Sequence, residues 1–348
     1  MSSSAAVTAR IANRRTFAII SHPDAGKTTL TEKLLLYGGA IHLAGSVKAR
    51  RAARHATSDW MALERERGIS VTSSVMQFEY QGYKVNLLDT PGHADFSEDT
   101  YRTLVAADSA VMLLDNRRGV EERTRQLFDV CKLRRMPIFS FVNKCDRPGG
   151  NPLQLISDVE ADLGIAIHPV TWPVHTGAGF VGVADRHRRE VLLFDRAVDH
   201  GATLVSARRI PLDDAGLADE IGSESLAALR DELELLEHAG APWDEGQIRS
   251  GEMSPMYFGS ALTNFGVAPF FADFLAHAPP PLPREAEGRT VMPTDPDFTG
   301  FVFKIQANMD PRHRDRIAFV RIVSGSFERE MSVIHHPSGR KVRLSNAQ

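Results

Sequence analysis

The sequence has few cysteines, no long apolar run and no signal-peptide pattern, and each of these absences excludes a class of protein. Its 348 residues include two cysteines, Cys131 and Cys145, and their spacing fits no metal site. Two cysteines favour reduced thiols in a cytoplasmic protein over a disulfide framework. No run approaches the roughly 18 apolar residues of a membrane span. The first 14 residues lack the apolar centre of a signal peptide, so no membrane partner is expected.

Positive charge is also not in excess. The 41 lysines and arginines are outnumbered by 44 aspartates and glutamates, which leaves a formal net charge of −3. Bulk positive charge therefore cannot be the source of an affinity for nucleic acid, although a local basic patch can be. We expect no DNA partner.

Apolar runs alternate with helical patterns over residues 16–277. Residues 110–115 and 137–143 are continuous apolar runs, which are typical of strands covered on both faces. This alternation predicts an α/β domain with a mostly parallel sheet over residues 14–278, preceded by a flexible tail over 1–13. Residues 168–252 break the rhythm with two strand-like runs and a charged helix, and we interpret them as an inserted subdomain.

A second domain is predicted after a proline-rich linker over residues 279–294. Strand-like runs at 299–306, 316–323 and 327–335 predict an all-β domain over 295–348. Three or four strands are few for a closed barrel, so we expect an incomplete barrel and a truncated chain.

A phosphate-binding loop is predicted between the first strand and the first helix of the α/β domain. The P-loop pattern is G-x-x-x-x-G-K-[ST], and here Ser21 replaces its first glycine. Backbone N–H groups at a helix N-terminus would cradle the phosphates, Lys27 would reach the β- and γ-phosphates, and Thr28 would bind Mg²⁺. The alternative is a tight turn with a solvated lysine. The predicted phosphate-binding residues are Ser21, His22, Pro23, Asp24, Ala25, Gly26, Lys27 and Thr28.

A second phosphate motif follows the strand predicted over residues 84–89. A carboxylate at the end of a buried strand can hold Mg²⁺ through water, which assigns that role to Asp89. The Gly92 N–H can reach the γ-phosphate, and His93 stands where some P-loop GTPases orient the attacking water, so His93 is the catalytic candidate. The motif is Asp89, Thr90, Pro91, Gly92 and His93.

A base-reading motif follows the apolar run at 137–143. It has the N-K-x-D pattern, in which the Asp146 carboxylate accepts from guanine N1–H and N2–H₂, a pair of donors that adenine lacks. Asn143 can tie this loop to the phosphate loop, and a backbone N–H after the last strand can contact guanine O6. The predicted guanine-binding residues are Asn143, Lys144, Cys145, Asp146, Ser260, Ala261 and Leu262.

Residues 59–72 lie between the two phosphate motifs and have the character of a nucleotide-dependent switch. A hydroxyl here would close over Mg²⁺ in the GTP state. Ser70 is the candidate and Thr72 the alternative, so the metal set is Thr28, Ser70 and Asp89. A basic run just upstream is either solvated or in contact with RNA phosphates: Lys48, Arg50, Arg51, Arg54 and His55.

Two of these motifs carry a family resemblance. Residues 89–93 and 66–70 resemble the translational GTPases, which include elongation factors Tu and G. The loop at 21–28, with serine first, and the segment at 298–311 resemble the release factor 3 family in particular. The similarity extends over residues 14–346.

The resemblance implies GTP binding and Mg²⁺-dependent hydrolysis on the ribosome. It implies ribosomal RNA and class I release factors as partners, and slow hydrolysis away from the ribosome because ribosomal RNA orders His93. One alternative is another ribosomal GTPase, similar to elongation factor G or to a ribosome-protection protein. The other is a GTP/GDP-gated binding module without significant hydrolysis.

Overall fold

The computed structural model describes residues 3–41, 74–90, 97–195, 203–307 and 316–344. The chain forms two compact units, one of Arg14–Pro279 and one of Met1–Asn13 with Pro280–Gln348. Among the described helices, none combines the length and apolar character needed to cross a membrane.

The N-terminal segment differs from the expectation of a flexible tail. Residues 3–12 form helix α1, Ser3–Ala12. Four of its ten residues are alanine, which has the highest helix propensity of all residues. The absence of a targeting signal, on which the expectation of a tail rested, carries no information on helix propensity.

The larger unit is built on a central sheet and a smaller inserted sheet. Its described strands are β1 (Arg14–Ser21), β2 (Ser74–Tyr80), β3 (Tyr83–Asp89), β4 (Ser109–Asp115), β5 (Ile138–Asn143), β6 (Ala166–Pro169), β7 (Thr171–Val174), β8 (Gly182–Asp185), β9 (Glu190–Phe194), β10 (Ala207–Pro211) and β11 (Met253–Phe258). Its described helices are α2 (Lys27–Tyr37), α3 (Ser97–Ala106), α4 (Glu122–Leu133), α5 (Pro152–Leu163), α6 (Leu217–Ile221), α7 (Ser223–Ala239), α8 (Glu245–Ser250) and α9 (Val267–His277).

The central sheet has the strand order β2-β3-β1-β4-β5-β11-β6. Only the β2–β3 pair is antiparallel within this described sheet, which confirms the predicted mostly parallel α/β fold. Strand β1 has β3 on one side and β4 on the other, and the chain order reverses there. Such a point opens a crevice at the carboxyl ends of the strands, where ligands bind in open α/β sheets.

The inserted subdomain begins with β7, and His168 belongs to strand β6 of the central sheet. Strands β7 to β10 form an antiparallel sheet in the order β10-β9-β8-β7, followed by α6, α7 and α8. The sequence predicted two of these four strands. Strand β7 contains Pro173 and β10 is largely polar, so neither has the apolar alternation that marks a strand.

Helix α9 packs across the central sheet through aromatic rings. Phe274 meets Phe17 of β1 and Phe139 of β5 edge-on, with ring centroids 4.7 and 4.9 Å apart. Phe270 contacts Phe141 of β5 at 4.8 Å. Each such pair contributes about 0.5–1.5 kcal/mol beyond its buried area. This packing holds the strands whose carboxyl ends carry the predicted motifs.

The smaller unit is all-β apart from its N-terminal helix and one short 3₁₀ turn in the described residues. Its strands are β12 (Arg284–Ala286), β13 (Arg289–Val291), β14 (Thr299–Ala307), β15 (Arg316–Ser324), β16 (Ser332–His335) and β17 (Arg340–Arg343). They pair antiparallel as three successive hairpins. The first hairpin, β12 with β13, lies within the residues predicted to be a linker. Its strands are joined by a tight turn at Gly288, which takes the positive φ of 79° that such a turn needs.

A cluster of histidines joins the central sheet to the insertion. His168 Nδ1 lies 2.8 Å from the Ala241 carbonyl, and His168 Nε2 lies 2.9 Å from His187 Nε2. A carbonyl only accepts, so Nδ1 of His168 carries the hydrogen and a neutral His168 accepts from His187 N–H. Burial lowers the pKa of His168 to about 4, and burial also lowers the pKa of His187.

Acid is therefore expected to destabilise the larger unit. Below its ordinary pKa of 6.5, His168 takes up a proton in the unfolded chain but not in the folded one, so the free energy of unfolding falls between about pH 6.5 and 4. His168→Asn keeps a donor for Ala241 and cannot ionise, so denaturant unfolding between pH 7.5 and 5 should show a shallower decline. His238→Asn, at an exposed site on α7, is the control. Equal slopes in wild type and His168→Asn would contradict this account.

Candidate functional site

The loop after β1, which carries the predicted phosphate-binding residues, turns tightly into the N-terminus of α2. The Ala25 N–H donates to the His22 carbonyl at 3.3 Å, and Gly26 takes φ of 103° directly before α2. Lys27 opens the helix with 8% of its surface exposed, and Thr28 follows in the first turn. The positive end of the helix dipole favours an anion here.

Asn143 connects three of the predicted motifs. Its Nδ2 donates to the Ala25 carbonyl and its Oδ1 accepts from the Ala261 N–H, both at 2.8 Å. The side chain is 2% exposed at the end of β5. One amide thus joins the loops that follow β1, β5 and β11.

Lys144 fastens the phosphate loop at a second point. It takes φ of 67°, and its Nζ donates to the Asp24 carbonyl at 2.5 Å and to Asp115 Oδ2 at 2.6 Å. Burial acts to raise the pKa of Asp115, but hydrogen bonds from Lys144 and the Arg117 N–H outweigh it and lower that pKa. Sequence reasoning missed Asp115, although a carboxylate at the end of a buried apolar strand was a visible signal.

Asp146 presents an acceptor with no partner among the described residues. Its Oδ1 is buried and accepts no hydrogen bond from them. A buried acceptor in this condition costs about 1–3 kcal/mol, which a ligand N–H would recover. Cys145 next to it is fully buried and its N–H donates to the Gly259 carbonyl, so this residue fixes the turn. Burial raises the pKa of the Cys145 thiol far above its ordinary value, so the thiol stays protonated.

The loop after β11 is held by its own backbone. The Ser260 N–H donates to the Phe265 carbonyl at 2.9 Å, and Ser260 Oγ accepts from the Thr263 N–H at 3.3 Å. Because the Ala261 N–H already donates to Asn143, a guanine O6 would share that donor or take the N–H of Leu262.

The second phosphate motif begins beside the phosphate loop. The backbone of Asp89 pairs in register with Ile19 of β1, and Thr90 Oγ1 donates to the Ile19 carbonyl at 2.6 Å. The side chain of Asp89 and all of Pro91, Gly92 and His93 lie outside the described structure. So do both switch candidates, Ser70 and Thr72, and the basic run at 48–55.

Comparison with known proteins places this geometry in a family. The model of the elongation factor Tu GTP binding domain matches residues 12–280, and that of elongation factor G domain 2 matches residues 297–348. The first match covers most of the chain and contains every residue of the predicted motifs.

The chain belongs to the elongation factor Tu GTP-binding domain family.

The curated relatives of this chain indicate which members of the family it resembles in sequence. Peptide chain release factor 3 of Symbiobacterium thermophilum is 60% identical over 97% of this chain and 64% of its own length. The protein of the same name from Acaryochloris marina is 58% identical over 96% of this chain and 62% of its own. The chain thus spans less than two thirds of the length of these relatives. The predicted resemblance to release factor 3 is confirmed.

A solved structure extends the likeness to the fold. The crystal structure of ttk003000868 from Thermus thermophilus superposes with a TM-score of 0.72 at 26% identity. It covers 95% of this chain, and this chain covers 48% of it.

The phosphate loop of a GTP-binding domain should not tolerate a side chain at Gly26. A Cβ there would collide with Nδ2 of Asn143, and φ of 103° is strained for any other residue. Gly26→Ala should weaken binding of a fluorescent GDP analogue roughly tenfold or more, at a strain of about 1–3 kcal/mol.

Gly39→Ala is the matched control for this change. Gly39 also has positive φ, of 67°, but a Cβ there meets no atom within 4 Å. This control should retain GDP affinity, and equal losses in both variants would indicate general backbone strain rather than a collision in the loop.

Proposed function

We propose that this chain is a GTP-binding and GTP-hydrolysing translation termination factor that promotes release of class I release factors from the ribosome. The role is supported by relatives named Peptide chain release factor 3 at 55–60% identity over nearly the whole of this chain. The nucleotide part is supported by one observation above the others. A single buried amide, Asn143, joins the predicted phosphate loop to both predicted base-reading loops.

Guanine would be selected by Asp146. Its carboxylate can accept two hydrogen bonds from guanine N1–H and N2–H₂, and its Oδ1 is buried without a partner in the described structure. Adenine offers no donor pair in that place, and an unsatisfied buried carboxylate penalises the wrong base. Asn143 and Lys144 hold the loop that carries this carboxylate.

The phosphates would bind on the N–H groups of residues 21–28 at the start of α2, with Lys27 neutralising the β- and γ-oxygens. Thr28, Asp89 and Ser70 offer hydroxyl and carboxylate oxygens, the donors that Mg²⁺ prefers. We assign them to that ion, which when bound neutralises charge on the phosphates. No group of three or more His, Cys, Asp or Glu in the described ranges could hold a metal.

Hydrolysis would be an attack of water on the γ-phosphorus that breaks its bond to the β–γ bridging oxygen and yields GDP and phosphate. His93 would orient the water, and Lys27 and the loop N–H groups would stabilise the charge that develops. We propose that ribosomal RNA orders His93, that turnover is slow without the ribosome, and that the protein works in the cytoplasm.

Asp146→Asn should shift the base preference of the site from guanine towards xanthine. An amide presents a donor where the carboxylate accepted, so guanine loses two charge-assisted hydrogen bonds and xanthine gains a partner for its 2-oxo group. GDP affinity should fall roughly a hundredfold or more, and xanthosine diphosphate affinity should rise. Competition against a fluorescent GDP analogue measures both. Asp162→Asn, a surface residue paired with Arg125, should alter neither, and unchanged preference in Asp146→Asn would refute the base-reading assignment.

His93→Ala should separate binding from turnover. The substitution removes the group proposed to orient water, so GDP and GTP affinities should persist while ribosome-stimulated hydrolysis falls by roughly two to four orders of magnitude. Single-turnover GTP hydrolysis is measured with and without ribosomes, in a chimaera in which the C-terminal remainder of the Symbiobacterium thermophilum relative follows this chain. His238→Ala is the control.

The same chimaera, measured also in assays of release-factor recycling and of translocation, tests the alternatives. Stimulated turnover that survives in His93→Ala would exclude His93 from catalysis. Absence of hydrolysis in wild type under both conditions would indicate a nucleotide-gated binding module. Stimulation of ribosomal translocation, without recycling of class I release factors, would indicate a factor similar to elongation factor G.

A further inference from the structure

The phosphate loop has a third attachment, to a residue outside the nucleotide motifs. His22 Nε2 lies 3.2 Å from Oε1 of Glu121, and the two side chains are 29% and 22% exposed. Glu121 precedes α4 at its N-cap position with an extended backbone, φ −105° and ψ 158°, yet its carboxylate caps no N–H of that helix. Short N-cap side chains such as those of Asp and Ser accept from their own helix. Here the carboxylate instead meets the phosphate loop.

The three attachments follow one another along the loop. Glu121 holds the side chain of His22, Lys144 holds the carbonyl of Asp24, and Asn143 holds the carbonyl of Ala25. Each of them uses a side chain or a carbonyl of the loop, and none uses a backbone N–H. These three attachments therefore occupy none of the loop N–H groups, the kind of donor that binds phosphate in such loops.

Two of these attachments lead back to one segment of the chain. Lys144 also donates to Asp115 at the end of β4, and six residues later Glu121 reaches His22. Arg118 Nη1 lies 3.5 Å from the same oxygen of Glu121, and the Arg118 N–H donates to the Asp115 carbonyl at 3.1 Å. The connection from β4 to α4 thus braces the phosphate loop at both His22 and Asp24.

We propose that Glu121 is a positioning residue for nucleotide binding, which keeps the phosphate loop in its binding shape by holding His22 against the start of α4. The inference rests on the proposed binding of guanine nucleotides. Glu121 itself would not touch the nucleotide. A loop released from Glu121 would sample other conformations and would hold the phosphates for a shorter time, whichever nucleotide is bound.

The test measures the dissociation rate of a fluorescent GDP analogue from the wild-type chain and its variants. Glu121→Ala should accelerate dissociation about threefold to tenfold, a range set by the partial exposure of the contact. Glu121→Gln keeps an acceptor oxygen for His22 N–H and should restore most of the wild-type rate. Glu122→Ala removes the same charge from an exposed neighbouring residue and should leave the rate unchanged.

A double-mutant cycle on the GDP dissociation rate, together with the thermal midpoint, distinguishes positioning of the phosphate loop from a general effect on protein stability. His22→Ala and the double variant His22→Ala, Glu121→Ala should release GDP at nearly the rate of Glu121→Ala, because the second change finds the contact already broken. The thermal midpoint without nucleotide should shift by no more than about 2 °C in Glu121→Ala. A merely structural role would lower that midpoint and leave Glu121→Gln without a rescue.

The outcomes distinguish this inference from the function on which it rests. Wild type that binds no GDP would overturn both. Wild type that binds GDP, together with an unchanged rate in Glu121→Ala, an equal effect in Glu122→Ala, or independent effects of His22→Ala and Glu121→Ala, would overturn the positioning role alone.

Discussion

The buried amide of Asn143 is the interaction on which the rest of the site depends. It donates to the loop after β1 and accepts from the loop after β11, and it lies at the end of β5 between them. Three loops that are distant in sequence are therefore held together by the side chain of one residue. Because both hydrogen bonds are out of contact with water, losing either would leave a buried polar group without a partner. The amide thus sets the spacing between a phosphate group and a base in the proposed complex.

This bridge requires strands that end in register. Strands β1, β4, β5 and β11 are parallel neighbours or near neighbours in the central sheet, so their carboxyl ends lie along one edge. The rings of Phe270 and Phe274 on α9 pack across these strands and resist sliding between them. Buried aromatic contacts on one face of the sheet thereby support polar contacts between the loops at its edge.

The phosphate loop also shows how a replaced motif residue is accommodated. Ser21 stands where the general P-loop pattern has glycine, and it ends β1 in a fully buried position. The positive φ values that the loop needs fall at Asp24 and Gly26 instead. A serine is therefore compatible with the loop, because the first position of this loop is extended strand rather than a left-handed turn.

The motifs themselves, their order along the chain and the mostly parallel α/β fold were readable from the sequence, because each motif sits at the end of an apolar run and needs particular residue types there. The family resemblance was readable for the same reason. Strands β7 and β10 and the hairpin of β12 and β13 were not recognised, since short polar or proline-containing strands lack a periodic signal. Helix α1 was not recognised because the absence of a targeting signal carries no information on helix propensity.

Only the tertiary structure decided what fastens the phosphate loop. Lys144 with Asp115, and His22 with Glu121, are pairs whose members lie far apart in the chain and in different elements. Residue type and spacing describe what one segment can do, whereas a contact between segments depends on strand order and on how each loop turns. The sequence thus determined the groups that we propose to bind a guanine nucleotide, and the folding of the sheet determined which neighbours hold them in place.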